Sequence, residues 1–293
     1  MKLLDGKLLS EQLYTQWAEI CKQEMGRNLR PPNLTAIMVD PSPASRLYVR
    51  NKERACAKVG VLSQILEFEA TTTTDQLLQK IHELANEGQT DGLIVQLPVP
   101  DSIDSQAILA AIPPEMDVDG FSPLNQGRML LGLSAHQPAT PSGIMMLLKH
   151  YEIETRGKHA VVVGRSEIVG TPLAILLSRR GIDATVTLCH SRTADLQSHT
   201  RRADLLFIAA GQAELIGSEH IKRGAVVIDV GIHEAKPESG RKWTGDVQYD
   251  AVLPLVSAIT PVPGGVGPMT VCALLRNTLR SWAMQMGLDS ERF

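Results

Sequence analysis

The chain has 293 residues, 43% of them hydrophobic and 21% charged, with a formal net charge of −3. That is the composition of a soluble globular protein, long enough for two domains of ordinary size, and it gives no electrostatic reason to expect a nucleic-acid or membrane partner. No apolar run reaches the length of a transmembrane helix and the first residues lack a signal-peptide core, so the expected setting is cytoplasmic.

Apolar runs alternate with amphipathic stretches, the pattern of an α/β fold with a mainly parallel sheet. Glu11 to Met25 reads as a helix and Leu34 to Val39 as a buried strand. Ser42 can cap a helix that has Pro43 at its first position and runs to about Lys58. Val61–Phe68 is a strand, Thr74–Asn86 a helix capped by Thr73 or Thr74, and Gly92–Leu97 a strand ended by Pro98. Residues 101–134 hold many turn formers and yield no clear element. Pro138 to Gly143 reads as a linker into a helix ending at Tyr151. There follow strand Ala160–Val163, helix Pro172–Arg179, strand Thr185–Cys189, a helix near Asp195–Arg201, and strands Leu205–Ala209 and Val226–Val230.

Thr260 to Thr270 holds three prolines and three glycines and no charge. Proline removes backbone donors and fixes φ, so this composition excludes a helix and a central strand. It is either an awkward turn or a rigid loop whose bare N–H groups allow close approach to a flat or anionic ligand. Val271 to Met286 is a long terminal helix. Cys21, Cys56, Cys189 and Cys272 are widely spaced, without a C-x-x-C pair, and read as reduced, mostly buried thiols. No His, Cys and carboxylate grouping has metal-ligand spacing, so no metal is expected.

Strand Ala160–Val163 runs into Gly164-Arg165-Ser166-Glu167-Ile168-Val169-Gly170. A glycine at a strand end permits a tight turn, and the next helix N-terminus offers N–H groups to a pyrophosphate. The spacing is not G-x-G-x-x-G, and many such turns bind nothing. The end of the second strand reads His190-Ser191-Arg192-Thr193, without the acid that holds the adenosine ribose of NAD. With Arg165, these cations and hydroxyls suit a ribose 2′-phosphate and favour NADP; solvated surface arginines are the alternative. Gly211 and Gly231 also follow strand ends, where a ligand crevice is expected.

Tyr48 and Lys52 lie four residues apart, on one helix face. A lysine desolvated beside a tyrosine can serve proton chemistry because burial lowers its pKa. Such pairs also decorate solvated faces, and this helix carries Arg46, Arg50 and Arg54. Gln96 is a polar residue inside an apolar strand, either an edge position or an amide aimed at a ligand. Asp117-Val118-Asp119-Gly120-Phe121 is an acidic turn between apolar groups.

Taken together, Tyr48–Lys52, Asp91–Pro98, Asp117–Phe121, Gly164–Gly170 and the 260–270 loop resemble, in order and spacing, the bifunctional methylenetetrahydrofolate dehydrogenase/methenyltetrahydrofolate cyclohydrolase family. The resemblance covers essentially the whole chain. It implies two α/β domains with a cleft between them, the second a Rossmann-like doubly wound parallel sheet. The domains expected are 1–137 plus 273–293 for folate binding and catalysis, and 138–272 for NADP. It implies NADP-linked oxidation of 5,10-methylenetetrahydrofolate, hydrolysis of the methenyl product to 10-formyltetrahydrofolate, and a homodimer. By carry-over, Lys52 serves the cyclohydrolase step, Tyr48 stacks on the folate ring, Gln96 orients Lys52 and Asp119 holds the pterin. Leu97, Pro98, Pro261, Gly264 and Gly265 join the substrate side; Gly164, Arg165, Ser166, Ser191, Arg192 and Ile232 form the cofactor side. The chain departs from the family pattern at Met116, Ser122, Ala139 and Val39-Asp40-Pro41, none of which is a proposed catalytic residue.

Other readings fit parts of the chain. A shikimate dehydrogenase-like enzyme matches the domain order but leaves Tyr48/Lys52 and the proline-glycine loop unexplained. Short-chain dehydrogenases carry their Tyr-x-x-x-Lys pair after the cofactor strand, whereas here it precedes Gly164. A non-catalytic protein on a retained fold would have no need of Lys52, Gln96 and Asp119.

Overall fold

The computed structural model describes residues 1–237 and 240–293. In chain order the first elements are β1 (Lys2–Leu3), α1 (Gly6–Met25), β2 (Asn33–Val39), α2 (Pro43–Val59), β3 (Leu62–Phe68), α3 (Thr74–Asn86) and β4 (Gly92–Val95). Then come α4 (Ser105–Ala111), α5 (Pro123–Leu130), α6 (Ala139–His150), β5 (His159–Val163), α7 (Gly170–Ser178), β6 (Thr185–Cys189) and α8 (Leu196–Thr200). The last are β7 (Leu205–Ile208), β8 (Val226–Asp229), β9 (His233–Glu234), β10 (Trp243–Thr244), α9 (Tyr249–Val252), β11 (Ala258–Ile259) and α10 (Val266–Gln285). They form two compact units: Met1–Ser10 with Thr140–Thr270, and Glu11–Ala139 with Val271–Phe293. No helix among the described residues is long and apolar enough to cross a membrane.

The first unit is built on a six-stranded sheet in the order β1-β11-β8-β7-β5-β6, parallel throughout. Its central strands are apolar on both faces because helices or loops cover both. Alternate residues serve opposite sides. Ala160, Val162, Phe207 and Ile228 pack with Leu173 and Leu177 of α7 and Ile144 and Leu148 of α6. Val161, Val163, Leu206 and Val227 pack with Ile216, Val247 and Val252. From β5 the chain goes to β6 on one side and then to β7 on the other, so the order reverses between β5 and β7. Ligands of doubly wound sheets bind outside the carboxyl ends at such a point.

The second unit holds a three-stranded parallel sheet, β3-β2-β4. Ile37, Val39, Leu93 and Val95 pack on Leu77, Ile81 and Leu84 of α3 and Ile108 and Leu109 of α4. Beside β4 the chain returns at Asp117, bridged to Leu93 through a Leu93 N–H bond to the Met116 carbonyl at 2.7 Å. The acidic turn thus lies next to β4, the strand that leads into Gln96.

Three expectations are corrected. The first ten residues, expected with 1–137, join the six-stranded unit. Lys2 and Leu3 pair with Ala258 and Ile259, and Leu4 is fully buried in its core. A two-residue strand carries no periodic signal by which sequence could place it. The 138–143 linker is helical from Ala139, and the proline-glycine loop ends at Gly265, with α10 starting at Val266. Pro141 and Pro268 each occupy the third helical position, where the backbone N–H has no intrahelical partner to lose. Finally, residues 101–134 contain α4 and α5, capped by Asp104 and Ser122.

Candidate active site

Helix α2 presents the first cluster. Ser42 caps it by accepting from the Ser45 N–H, with Pro43 at the first position. Two turns in, Lys52 is 3% exposed, a position that an ammonium group occupies only with partners. Its Nζ lies 4.9 Å from the Tyr48 ring centroid, within reach of a cation–π attraction. It donates to Gln96 Oε1 at 3.3 Å and stands 3.9 Å from Asp119 Oδ2. Gln96 is itself fixed: its Nε2 donates to the Leu97 carbonyl at 2.8 Å, which turns Oε1 toward the lysine. Its main-chain N–H donates to Ile37 at 2.9 Å, so the amide projects from the end of the sheet.

Burial pushes the Lys52 ammonium below the ordinary lysine range, and Asp119 works against that shift. Burial raises the Asp119 carboxyl, and Lys52 opposes it. Burial likewise raises the Tyr48 phenol. Each group is therefore nearer its neutral form than in water, the condition for a lysine to exchange a proton at physiological pH. The structure brings together Tyr48, Lys52, Gln96 and Asp119, with Leu97 and Pro98 following Gln96.

The other aspartate of the turn has a different task. Asp117 is 1% exposed and accepts from the Phe121 and Ser122 N–H groups at 3.1 and 2.8 Å and from Asn125 Nδ2 at 2.9 Å. Asp91 is also structural, in a bidentate pair with Arg30 at 2.7 Å on both arms. Three of the departures from the family pattern occupy buried positions of the same unit. Met116 and Ala139 are in the core, and Ser122 caps α5.

The second cluster lies in the six-stranded unit at the switch point. A cavity of 430 Å³ is lined by Gly164, Arg165, Ser166, His190, Ser191 and Thr193, with Ala209 and Ala210 on the far wall. Gly164 has φ +118°, and a Cβ there would overlap the Ala209 carbonyl oxygen. A Cβ on Gly170 would overlap the Gly164 carbonyl oxygen. Both glycines are thus required by close packing of the turn. Exposed Arg165, the Ser166 and Ser191 hydroxyls and the absence of an acid among these lining residues suit a phosphorylated nucleotide. The fit departs from expectation in two ways. The first amides of α7 are already used, since Val169 donates to Ser166 Oγ at 3.2 Å and Thr171 to the Ser166 carbonyl at 3.1 Å. Arg192 and Ile232 are exposed and do not line the cavity, whereas His190 and Thr193 do. The signal for those two was in the strand-end tetrapeptide; Thr193 Oγ1 accepts the His190 N–H at 2.9 Å and closes that turn.

Pro261, Gly264 and Gly265 also belong to this unit. Their backbone is less bare than their composition implies: Gly265 N–H donates to the Pro261 carbonyl at 2.9 Å and the Gly264 carbonyl accepts from Lys7 at 2.8 Å. Among the described residues, no group of three or more His, Cys, Asp or Glu side chains could hold a metal ion.

Two family models match the chain. Residues 4–119 match the tetrahydrofolate dehydrogenase/cyclohydrolase catalytic domain, and residues 138–286 match the NAD(P)-binding domain of the same family. The bifunctional protein FolD of Desulfovibrio desulfuricans is 48% identical over 284 residues, 96% of this chain and 98% of that one. The crystal structure of the bifunctional enzyme FolD from Campylobacter jejuni superposes with a TM-score of 0.93 at 43% identity, covering 97% of this chain and 99% of that one. The enzyme of Trypanosoma brucei, solved with NADP cofactor and an inhibitor, gives a TM-score of 0.91 at 37% identity, with 96% and 97% covered.

Proposed function

Since the chain belongs to the tetrahydrofolate dehydrogenase/cyclohydrolase family and is a bifunctional enzyme of that kind, we propose that Lys52, Tyr48, Gln96 and Asp119 carry its hydrolytic step. The enzyme oxidises 5,10-methylenetetrahydrofolate to 5,10-methenyltetrahydrofolate with NADP and hydrolyses the product to 10-formyltetrahydrofolate. The observation that carries the residue assignment is the buried Lys52 amine, held between the Tyr48 ring, Gln96 Oε1 and Asp119.

In the oxidation, hydride leaves a carbon flanked by two nitrogens whose lone pairs stabilise the resulting cation, so little acid–base help is needed. The protein's contribution is position, which can be worth several kcal/mol of the barrier. The Tyr48 ring offers a stacking face for the pterin, and Asp119 an acceptor for its N–H groups. Gly164, Arg165, Ser166 and Ser191 would hold NADP, whose chemistry when bound is to accept the hydride. Arg165, exposed at the cavity, would pair with its 2′-phosphate.

In the hydrolysis, a water oxygen adds to the methenyl carbon and a water proton passes to Lys52 Nζ. The carbinolamine then opens: its hydroxyl hydrogen moves to the departing ring nitrogen, the carbon–nitrogen bond breaks, and the formyl group stays on the other nitrogen. One proton reaches solvent overall. Neutral Lys52 is the base, favoured by its burial and by the cationic substrate. Gln96 keeps the amine pointed at the reacting carbon.

The family resemblance adds a homodimer as the working assembly. Four free, buried cysteines suit a reducing cytoplasm. The test is Lys52→Met, followed by NADPH and methenyl absorbance. The variant is expected to keep dehydrogenase turnover within about tenfold while losing at least about 100-fold in cyclohydrolase turnover. Full hydrolysis by Lys52→Met would overturn the assignment.

A further inference from the structure

At the carboxyl ends of β7 and β8 lies a buried polar network that the reaction above does not use. Asp246 is fully buried. One of its oxygens accepts from the Ala210 and Gly211 N–H groups at 2.7 and 3.0 Å. The other is 2.7 Å from His233 Nε2. Asp229, 3% exposed at the end of β8, accepts from Gly231, Asp246 and Val247 N–H groups, each at 3.0 Å. Its own N–H donates to Thr260 Oγ1 at 2.8 Å. The two carboxylates thus fasten three segments, 210–211, 231–233 and 246–247, and the main chain of Asp229 adds Thr260.

The packing is tight enough to dictate sequence. A Cβ on Gly231 would overlap Asp246 Oδ1, and one on Gly245 would overlap Asp229 Oδ2. Burying two neighbouring carboxylates is costly unless each is saturated with donors. A network of this cost at the strand ends with no chemistry of its own calls for a positional explanation. Its outputs are specific. Ala210 is on the wall of the 430 Å³ cavity. Ile232, an aliphatic side chain 58% exposed, is flanked by Gly231, packed on Asp246, and by His233, bonded to Asp246.

We propose that Asp246, anchored by His233, is a positioning residue for the cofactor: it fixes the Ala210 wall of the cavity and presents Ile232 from the carboxyl end of β8. This rests on NADP binding at that cavity. A hydrogen bond from an imidazole to a buried carboxylate restrains the 231–233 segment directly. Breaking it frees the exposed apolar residue and leaves one buried oxygen of Asp246 without a donor.

The experiment measures NADP⁺ binding by calorimetry, with dehydrogenase kinetics beside it, for wild type, His233→Ala, His233→Gln and Asp246→Asn. Hydrolysis of supplied methenyltetrahydrofolate, which consumes no cofactor, reports the state of the other unit. His233→Ala is expected to weaken NADP⁺ binding roughly tenfold, to raise its KM in parallel with kcat within about twofold, and to leave hydrolysis unchanged. His233→Gln, whose amide can donate to Asp246, recovers affinity to within about threefold of wild type. Asp246→Asn, which turns an acceptor into a donor, weakens binding at least as much as His233→Ala. Wild-type affinity in both His233→Ala and Asp246→Asn overturns the proposal. So does a loss that Gln does not relieve and that hydrolysis shares, because that is general damage. A wild-type protein that binds no NADP⁺ would instead refute the cofactor reading beneath it.

Discussion

Asp117 and Asp119 are two residues apart and have opposite fates. Asp117 spends its acceptor capacity on Phe121, Ser122 and Asn125, shaping the turn. Asp119 faces a lysine at 3.9 Å, a distance that leaves room for a ligand donor. The pair therefore separates a structural from a chemical carboxylate on hydrogen-bond geometry alone. A consequence concerns pH. Asp119 stabilises the Lys52 ammonium and so keeps its pKa from falling further. Asp119→Asn removes that anion while keeping the volume. At saturating substrate, the rise of cyclohydrolase rate with pH, which follows deprotonation of Lys52, is expected to move to lower pH in Asp119→Asn. A pH–rate profile corrected for the uncatalysed hydrolysis, superimposing on that of wild type, would show that the two groups are not coupled.

At the scale of elements, α10 holds the acidic turn in place. Asn277 Nδ2 donates to the Val118 and Gln137 carbonyls at 2.9 and 3.1 Å. His136, 7% exposed, lies 3.1 Å from the Glu115 carbonyl and 3.3 Å from Ser281 Oγ. Burial pushes its pKa down to about 4 from 6.5. A depressed histidine favours the fold when neutral, so its contribution is complete above pH 6.5 and is lost as pH falls toward 4. By pH 4 the loss amounts to about 3 kcal/mol. His136→Gln, with an amide that can meet the same partners, is expected to flatten this part of the stability curve. Urea unfolding at pH 7 and pH 4.5 measures it; equal acid sensitivity in the variant and wild type would refute the role. None of this clamp was legible in sequence, because the partners of His136 are 21 and 145 residues away. What could be read had local causes. Ser42-Pro43 and Thr73 announce helix starts through capping chemistry, and both cap as expected. Gln96 stood out as a polar residue in an apolar strand, whereas Lys52, on a helix that also carries Arg46, Arg50 and Arg54, was singled out by the family resemblance. Proline at the first helical position was read correctly at Pro43, but at the third position it misled, at Pro141 and Pro268, since composition does not reveal which N–H is dispensable.

At the scale of the molecule, chain order and spatial order part at the N-terminus. The sheet of the nucleotide unit is built from 159–259, yet its edge is the first strand of the chain. Lys2 and Leu4 donate to the Ser257 and Ile259 carbonyls at 2.7 and 2.9 Å. Leu4 is fully buried among Ala258, Ile144 and Val266. Beyond Leu4, Gly6 approaches Gly265 so closely that a Cβ would overlap its carbonyl oxygen, which brings the proline-glycine turn under the control of the N-terminal segment. Removing residues 1–4 therefore strips one strand from β11 and a leucine from the core, the latter alone worth about 2–5 kcal/mol. The three-stranded sheet, which shares none of these contacts, should be untouched. Hydrogen exchange is expected to show β8 and β11 amides exchanging at least about tenfold faster in the truncated chain, with β2 and β4 unchanged. Cyclohydrolase turnover should persist while NADP⁺ affinity falls. Full protection of β8 and β11 after truncation would mean that β1 is an ornament of the sheet and not one of its supports.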